Sequence, residues 1–228
     1  MVVIADKRLP WEAKSKLSEY GKLIEMESSG IVYEAINGHP DIFLCLSESE
    51  LIIAPNTPLN IIDQLVENGL SFKSGSKNLG VKYPETAYYN AVATENLLIH
   101  NLKITDTEIL RISENKQKIH VEQGYTRCNL ISLNERGFIT SDKGIEAILL
   151  QSGRNVLFVE PSEILLPGFK NGFFGGCCGI NENQLFVSGS LHYINNGLQI
   201  RKFVENCGFE INELYNGPLI DGGGIFFL

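Results

Sequence analysis

A chain of 228 residues with 43% hydrophobic and 20% charged residues can bury a substantial core, and its composition is that of a globular protein. Its formal net charge of −8 argues against a nucleic-acid or anionic-membrane surface, because phosphates are bound by clustered lysine and arginine. No apolar run reaches the roughly 18 residues of a membrane helix. Asp6, Lys7 and Arg8 interrupt the apolar start that a signal peptide would need.

The first predicted elements are a strand at residues 2–5, a helix at 11–20 ending at Gly21, and a strand at 23–26. Four apolar runs follow, each of which folds back after a polar turn that contains glutamate. The paired runs are 41–46 with 51–54, 87–93 with 97–99, 128–133 with 138–140, and 176–180 with 184–187. Short apolar runs around such turns, here 47–50 for the first pair, predict four β-hairpins.

A helix and one more strand are predicted after each hairpin. Ile61 and Leu65 mark the apolar face of the first such helix, which ends at Gly69. The second of these helices begins after Asp106, and the third begins after Ser141 or Asp142 as its cap. The fourth ends at Gly208. The closing strands are predicted at 70–72, 118–122, 156–160 and 209–212.

The first unit lacks the strand that opens every other unit, and the chain has one surplus strand at residues 225–228, behind glycines 222–224. Pairing of this last strand with the strand at 2–5 would complete the first unit. The repeat therefore predicts one α/β domain over residues 1–228, made of five units around a pseudo-fivefold axis.

Five strand–strand–helix–strand units closed by the two ends of the chain resemble the pentein fold, a five-unit β/α propeller. This superfamily contains the guanidino-group modifying enzymes, namely deiminases, dimethylarginine hydrolases and amidinotransferases, and also a non-catalytic ribosome anti-association factor. One segment is similar to the family's Pro-Asp before an apolar strand: His39-Pro40-Asp41-Ile42-Phe43. Another resembles the glycine-rich entry to the strand with the catalytic cysteine: Gly222-Gly223-Gly224-Ile225.

The chain departs from the enzymes at the two positions where the resemblance would place catalytic groups. A cysteine follows the glycine entry in the enzymes, whereas Phe226 and Phe227 stand there in this chain. The enzymes also have His-x-Asp or His-x-Glu at a middle hairpin, where this chain has Cys128-Asn129-Leu130. The resemblance therefore implies that the usual nucleophile and general base are absent.

Cysteine and histidine spacing excludes the common cofactor motifs. The five cysteines are odd in number and form no Cys-x-x-Cys pair, which disfavours a disulfide framework and a zinc site and predicts a reducing, cytoplasmic location. None of the four histidines has metal-ligand spacing, and no phosphate-binding glycine loop occurs. We therefore predict no metal and no cofactor.

In a fold of this kind the hairpin starts converge near the axis. The polar and thiol residues at these starts are Asp41, Asn90, Cys128, Asn129, Cys177, Cys178 and Asp221. Asp41 and Asp221 would pair with a small polar or cationic ligand, and Asn90 and Asn129 would hydrogen-bond it. Asp41 and Asn90 could instead cap strand ends. The neighbouring residues Arg127 and His39 are further candidates. Arg127 would pair with a carboxylate or make a structural pairing within the protein. His39 is extended before proline, so it would face either solvent or the axis.

Two functional hypotheses follow. The first is a non-catalytic or degenerate pentein-fold protein that binds a small polar or guanidino-type ligand, or a partner, in its axial cavity. The alternative is a diverged amidinohydrolase or amidinotransferase that uses Cys177, Cys178 or Cys128 as the nucleophile. The same thiols could equally be small buried residues that pack where strands crowd the axis. We expect no nucleic-acid and no membrane partner, and the oligomeric state is left open.

Overall fold

Five three-stranded sheets are formed by the residues that the computed structural model describes, which are 1–47 and 50–228. The strands are β1 (Val2–Asp6), β2 (Lys22–Met26), β3 (Leu44–Leu46), β4 (Leu51–Ile53), β5 (Lys73–Ser74), β6 (Val92–Ala93), β7 (Leu97–His100), β8 (Gln117–His120), β9 (Leu130–Ser132), β10 (Phe138–Thr140), β11 (Val156–Phe158), β12 (Cys178–Asn181), β13 (Gln184–Val187), β14 (Glu210–Glu213) and β15 (Phe226–Phe227). The helices are α1 (Trp11–Ser18), α2 (Pro40–Phe43), α3 (Leu59–Glu67), α4 (Thr107–Ile112), α5 (Thr126–Asn129), α6 (Lys143–Gln151) and α7 (Gly197–Asn206).

The first and last strands of the chain pair with each other, as the sequence predicts. Strand β15 pairs antiparallel with β1, with Phe226 opposite Ile4, and β1 pairs parallel with β2. Every other sheet has the same order: a central strand with an antiparallel partner before it and a parallel partner after it. The first strands of neighbouring sheets also contact one another around the axis, as at the bridge between Gly179 and Ile225.

The internal symmetry extends to single backbone hydrogen bonds. We call the strand that opens each hairpin the inner strand. In three hairpins, the backbone N–H of the residue after the central strand donates to the carbonyl of the residue just before the inner strand. The pairs are Ala54 to Phe43, Ser141 to Asn129 and Ser188 to Cys177, with N–O distances of 2.8, 2.9 and 2.8 Å. Residues at equivalent positions of different units therefore approach the axis at the same level.

The starts of the inner strands differ from the prediction. Strands predicted from residues 41 and 128 begin only at Leu44 and Leu130, because the short helices α2 and α5 precede them. The strand predicted at 176–180 is likewise preceded by a 3₁₀ turn, Gly175–Cys177, and the strand predicted at 87–93 is only β6. Proline at the first helical position favours a helical turn in α2, because its fixed φ suits that position. Part of the predicted turn 47–50, Glu48 and Ser49, lies outside the described residues.

Helices α3 and α6 are packed by apolar residues that their sequences predict as buried. Ile61 and Leu65 of α3 and Ile145 of α6 are fully buried, and each such side chain contributes roughly 1.5–3 kcal/mol. Of the two proposed caps of α6, Asp142 is the one that accepts a hydrogen bond, from the Ile145 N–H at 2.8 Å. Within the described residues, no helix combines the length and the apolar character that crossing a membrane would need.

Candidate functional site

A buried cluster of ionisable side chains lies where the inner strands begin. Asp41 comes from α2 and Cys128 from α5, and the Cys128 thiol donates a hydrogen bond to Asp41 Oδ2 at 2.9 Å. His39, just before α2, joins them, so that one ligand atom from each of the three side chains lies within 4.8 Å of the others. We call His39, Asp41 and Cys128 the axial cluster. Its members are at most 4% exposed.

Asn90 connects the two short helices that carry the cluster. Its side-chain amide donates to the carbonyl of Asp41 at 3.1 Å and to Cys128 Sγ at 3.3 Å. Its Oδ1 accepts from the Cys128 N–H at 3.1 Å. Asn90 therefore fixes α5 relative to α2, and it supplies a polar contact to the sulfur that an apolar side chain could not.

His39 is enclosed by acidic groups and by the glycine-rich segment that precedes β15. Its Nε2 lies 3.9 Å from Asp6 Oδ2, and its Nδ1 lies 3.9 Å from Asp221 Oδ1. Neither ring nitrogen has a hydrogen-bond partner among the described residues. Gly223 adopts a φ of +70° against the imidazole, and its carbonyl accepts from the Asp41 N–H at 3.1 Å. Of the two orientations left open by the sequence, the buried one toward the axis is found.

Burial controls the charge state of the two aspartates at the cluster. Burial raises the pKa of Asp41 to about 7, and repulsion from Asp221 adds to this effect. Asp41 Oδ1 has no hydrogen-bond partner within residues 1–47 and 50–228. Burial also raises the pKa of Asp221, although the N–H groups of Gly223 and Phe173 donate to its two carboxylate oxygens at 3.0 and 2.9 Å.

The three candidate thiols lie in environments that disfavour the thiolate. Cys128, Cys177 and Cys178 are buried, and burial raises the pKa of each one above its usual value. The carboxyl groups of Asp41 and Asp221 raise the pKa of Cys128 further. Cys177 donates weakly to the carbonyl of Phe173 at 3.4 Å. In this state, none of the three has the lowered pKa of an activated cysteine nucleophile.

The side chains of Arg127 and Asn129 donate their hydrogen bonds to backbone carbonyls and not to the axial cluster. The Arg127 guanidinium donates to the carbonyls of Gly175 and Cys178 at 2.7 and 2.9 Å and lies 5.6 Å from the centre of the Phe226 ring. Of the two pairings that the sequence left open for Arg127, the hydrogen bonds among the described residues show a structural one, with carbonyls and not with an aspartate. The Asn129 side chain donates to the Tyr125 carbonyl, one turn back, at 2.9 Å.

A separate axial cavity of about 640 Å³ opens at the hairpin-turn ends of the inner strands. Its walls include Arg127 and the aromatic residues Phe226 and Phe227. Its polar rim includes three glutamates that sequence reasoning did not select: Glu50, Glu95 and Glu135. The available signal was a glutamate in every predicted hairpin turn, because equivalent turns of a closed ring surround the same axis.

Two of these rim glutamates are already held by neighbours. Glu50 forms an ion pair with Lys73, while its Oε2 is buried without a hydrogen-bond partner among the described residues. Glu135 accepts from the Thr94 hydroxyl and from the Asn96 N–H at 2.9 Å. Burial opposes ionisation of Glu135, but these hydrogen bonds and the charge of Arg154, 3.9 Å from Glu135 Oε2, outweigh it and lower the Glu135 pKa. Glu135 is therefore an ionised carboxylate on the rim.

Five three-stranded sheets in this arrangement define a pentein fold, and solved structures of that superfamily superimpose on the chain. An amidinotransferase from the saxitoxin biosynthetic pathway of Microseira wollei is 10% identical, with a TM-score of 0.53 over 93% of this chain and 87% of that protein. A second structure is a cysteine-to-serine mutant of the dimethylarginine dimethylaminohydrolase from Pseudomonas aeruginosa, complexed with citrulline. It is 9% identical, with a TM-score of 0.56 over 93% of this chain and 91% of that protein. Agmatine deiminase from C. jejuni, with substrate bound, is 11% identical, with a TM-score of 0.57 over 96% of this chain and 90% of that protein.

Within this fold, the chain belongs to the family described as "Family of unknown function (DUF6873)", whose model matches residues 4–226. No curated protein matches the sequence. At 9–11% identity the solved structures establish the shared fold and not the chemistry of this chain.

Proposed function

We propose that this protein is a non-catalytic pentein that binds a small cationic ligand of the guanidino type in its axial cavity. The observation that carries the proposal is the rim of Glu50, Glu95 and Glu135 beside aromatic side chains in one cavity. Carboxylates accept the parallel N–H donors of a guanidinium, and aromatic faces attract its delocalised charge. A volume of about 640 Å³ is sufficient for a ligand of amino-acid size.

The environment of the candidate thiols disfavours catalysis. Attack on a guanidinium carbon needs a thiolate and a group that moves a proton. The three candidate cysteines have raised pKa values, and Cys128 donates its proton to a carboxyl group. Phe226 and Phe227 follow the glycine entry where the resembling enzymes have a cysteine. These features favour binding without turnover.

Calorimetry and a product assay test the two parts of the proposal together. Arginine, agmatine and methylarginines would be titrated into the protein, and ammonia and urea release would be followed with and without prior thiol alkylation. We expect saturable binding without product. Glu95→Gln should weaken binding by about tenfold for one lost charge-assisted contact of about 1.4 kcal/mol.

Glu182→Gln is the matched control, because Glu182 occupies the fourth hairpin turn but does not line the cavity. Its affinity should equal that of the unmodified protein. If no guanidine binds, or if both substitutions weaken binding equally, the assignment of the ligand to this cavity is wrong. Alkylation-sensitive release of ammonia or urea would contradict the non-catalytic part.

One observation favours the alternative, a diverged cysteine-dependent amidinohydrolase or amidinotransferase. Cys128 has a histidine, His39, and a carboxyl group, Asp41, within 4.8 Å, which is the set of groups that a thiol nucleophile uses. Alkylation of the native protein near neutral pH, followed by peptide mapping, distinguishes the two functions. The alternative requires Cys128 to react much faster than Cys177 and Cys178, whereas uniformly slow labelling supports the binding protein.

A further inference from the structure

We propose that His39, Asp41 and Cys128 bind one divalent transition-metal ion, zinc by the chemistry of the donors, in the axial cluster. A thiol sulfur, an imidazole nitrogen and a carboxylate oxygen lie within 4.8 Å of one another. This donor set is typical of zinc, which takes sulfur, nitrogen and oxygen ligands in a tetrahedral arrangement. The inference is independent of guanidine binding, because the rim of the axial cavity is formed by other residues.

The second observation that supports a metal ion is the set of buried polar atoms in the cluster that have no hydrogen-bond partner among the described residues. Both ring nitrogens of His39 and Oδ1 of Asp41 are buried without a hydrogen-bond partner in the described part of the chain. Such atoms are rare in folded proteins, where the large majority of buried polar side-chain atoms are paired. One ion in the cluster would satisfy an oxygen of Asp41 and one nitrogen of His39 at the same time.

Among the described residues, no arginine or lysine donates a hydrogen bond to Asp41 or Cys128, although acidic side chains are concentrated around them. Asp41 and Cys128 are accompanied by Asp6 and Asp221, and all four side chains are acidic and buried. Arg8 is paired with Asp6, and Arg127 donates its hydrogen bonds to backbone carbonyls, so that it contributes only its charge to the cluster. An ion of charge +2 held by one thiolate and one carboxylate forms a neutral unit, which removes the cost of burying the two anions separately.

The surroundings match the outer shell of a metal site. Whichever ring nitrogen of His39 binds the ion, the other faces a carboxylate, either Asp6 or Asp221, at 3.9 Å. Carboxylates in this position orient a metal-bound histidine and increase its basicity. Asn90 donates to the Cys128 sulfur at 3.3 Å, a bond that a thiolate accepts better than a thiol.

Binding requires the Cys128 thiol to lose its proton to solvent, together with the proton of Asp41 when that group is protonated. Metal affinity should therefore increase with pH. The sequence predicts no metal, because the histidines are judged to lack metal-ligand spacing and Cys128 stands far along the chain from His39 and Asp41. They meet only because α2 and α5 are equivalent starts of two different hairpins.

The test uses the full chain, refolded with Co²⁺ because the cluster is buried. Thiolate-to-cobalt charge-transfer absorption reports the sulfur ligand, and competition with a chromophoric chelator gives the zinc stoichiometry. We expect one equivalent, bound with a charge-transfer band. Cys128→Ser should abolish the band, whereas Cys177→Ser, a change at a buried thiol outside the cluster, should retain it. Asp221→Asn should weaken zinc binding by roughly 10–100-fold.

Three results would overturn the proposal: no bound cobalt, a charge-transfer band that survives Cys128→Ser, or a band that Cys177→Ser removes. Circular dichroism would show whether each variant folds. If Cys128→Ser does not fold, zinc-edge X-ray absorption of the unmodified protein decides the question without any variant. One sulfur in the coordination shell supports the site, and a shell of nitrogen and oxygen alone overturns it.

Discussion

Gly223→Ala tests the packing of the glycine segment against His39. Gly223 has a φ of +70°, and a Cβ there would lie 2.6 Å from His39 Cα and overlap the His39 side chain. Gly153 is the matched control, because its φ is +73° and nothing lies within 4 Å of an added Cβ. Alanine at positive φ costs about 1–2 kcal/mol at either position, and overpacking adds about 1–3 kcal/mol at Gly223 alone.

We therefore expect the free energy of unfolding to fall by about 1–2 kcal/mol in Gly153→Ala and by about 2–5 kcal/mol in Gly223→Ala. Urea unfolding followed by circular dichroism measures both losses, and an unchanged m value shows that the unfolded state is the same. Equal losses in the two variants would refute the reasoning, because the overlap with His39 is the feature that distinguishes them.

Two further predictions concern the remaining core. Burial lowers the pKa of His100 to about 4, although the hydrogen bond from its Nε2 to the Gly124 carbonyl acts in the opposite direction, so the neutral ring is favoured in the folded state. Because the unfolded imidazole titrates near 6.5, the free energy of unfolding should fall by up to about 3 kcal/mol as pH drops from about 6.5 to about 4. His100→Asn should reduce this slope in urea titrations across that range, and an unchanged slope would contradict the assignment. Phe226→Ala should cost about 3–5 kcal/mol, because the buried ring lies in the strand that pairs with β1. The corresponding change at Phe169, which is 53% exposed, should cost much less, and equal urea midpoints for the two would contradict the closure by β15.

The architecture could be predicted because its signals are local and repeated. Each hairpin has its own polar turn, each longer helix has an apolar face, and helix ends such as Gly69 and Gly153 adopt the positive φ that favours glycine. The surplus strand at the end of the chain then has one place to pair, beside β1. The strand starts were predicted too early, because an apolar run does not distinguish a buried helical turn such as α2 from a strand.

The sites could be predicted only in part. The repeat indicates which residues approach the axis, and Asp41, Asn90 and Cys128 do meet there. It does not indicate which way His39 turns, since an extended residue before proline can face either solvent or the interior. The approach of His39 to Cys128 depends on the packing of separate units, which no local pattern reports.

The structure separates two roles that a cysteine-dependent enzyme has to combine. Glu50, Glu95 and Glu135 surround the axial cavity at the hairpin turns, whereas Cys128 lies in the axial cluster at the strand starts and does not line that cavity. Arg127 and Phe226 form part of the cavity wall, and the guanidinium of Arg127 is fixed there by two carbonyls. A ligand held by the rim glutamates would therefore not reach the Cys128 sulfur in this conformation. This separation favours a binding function for the cavity and leaves the cluster available for a metal ion.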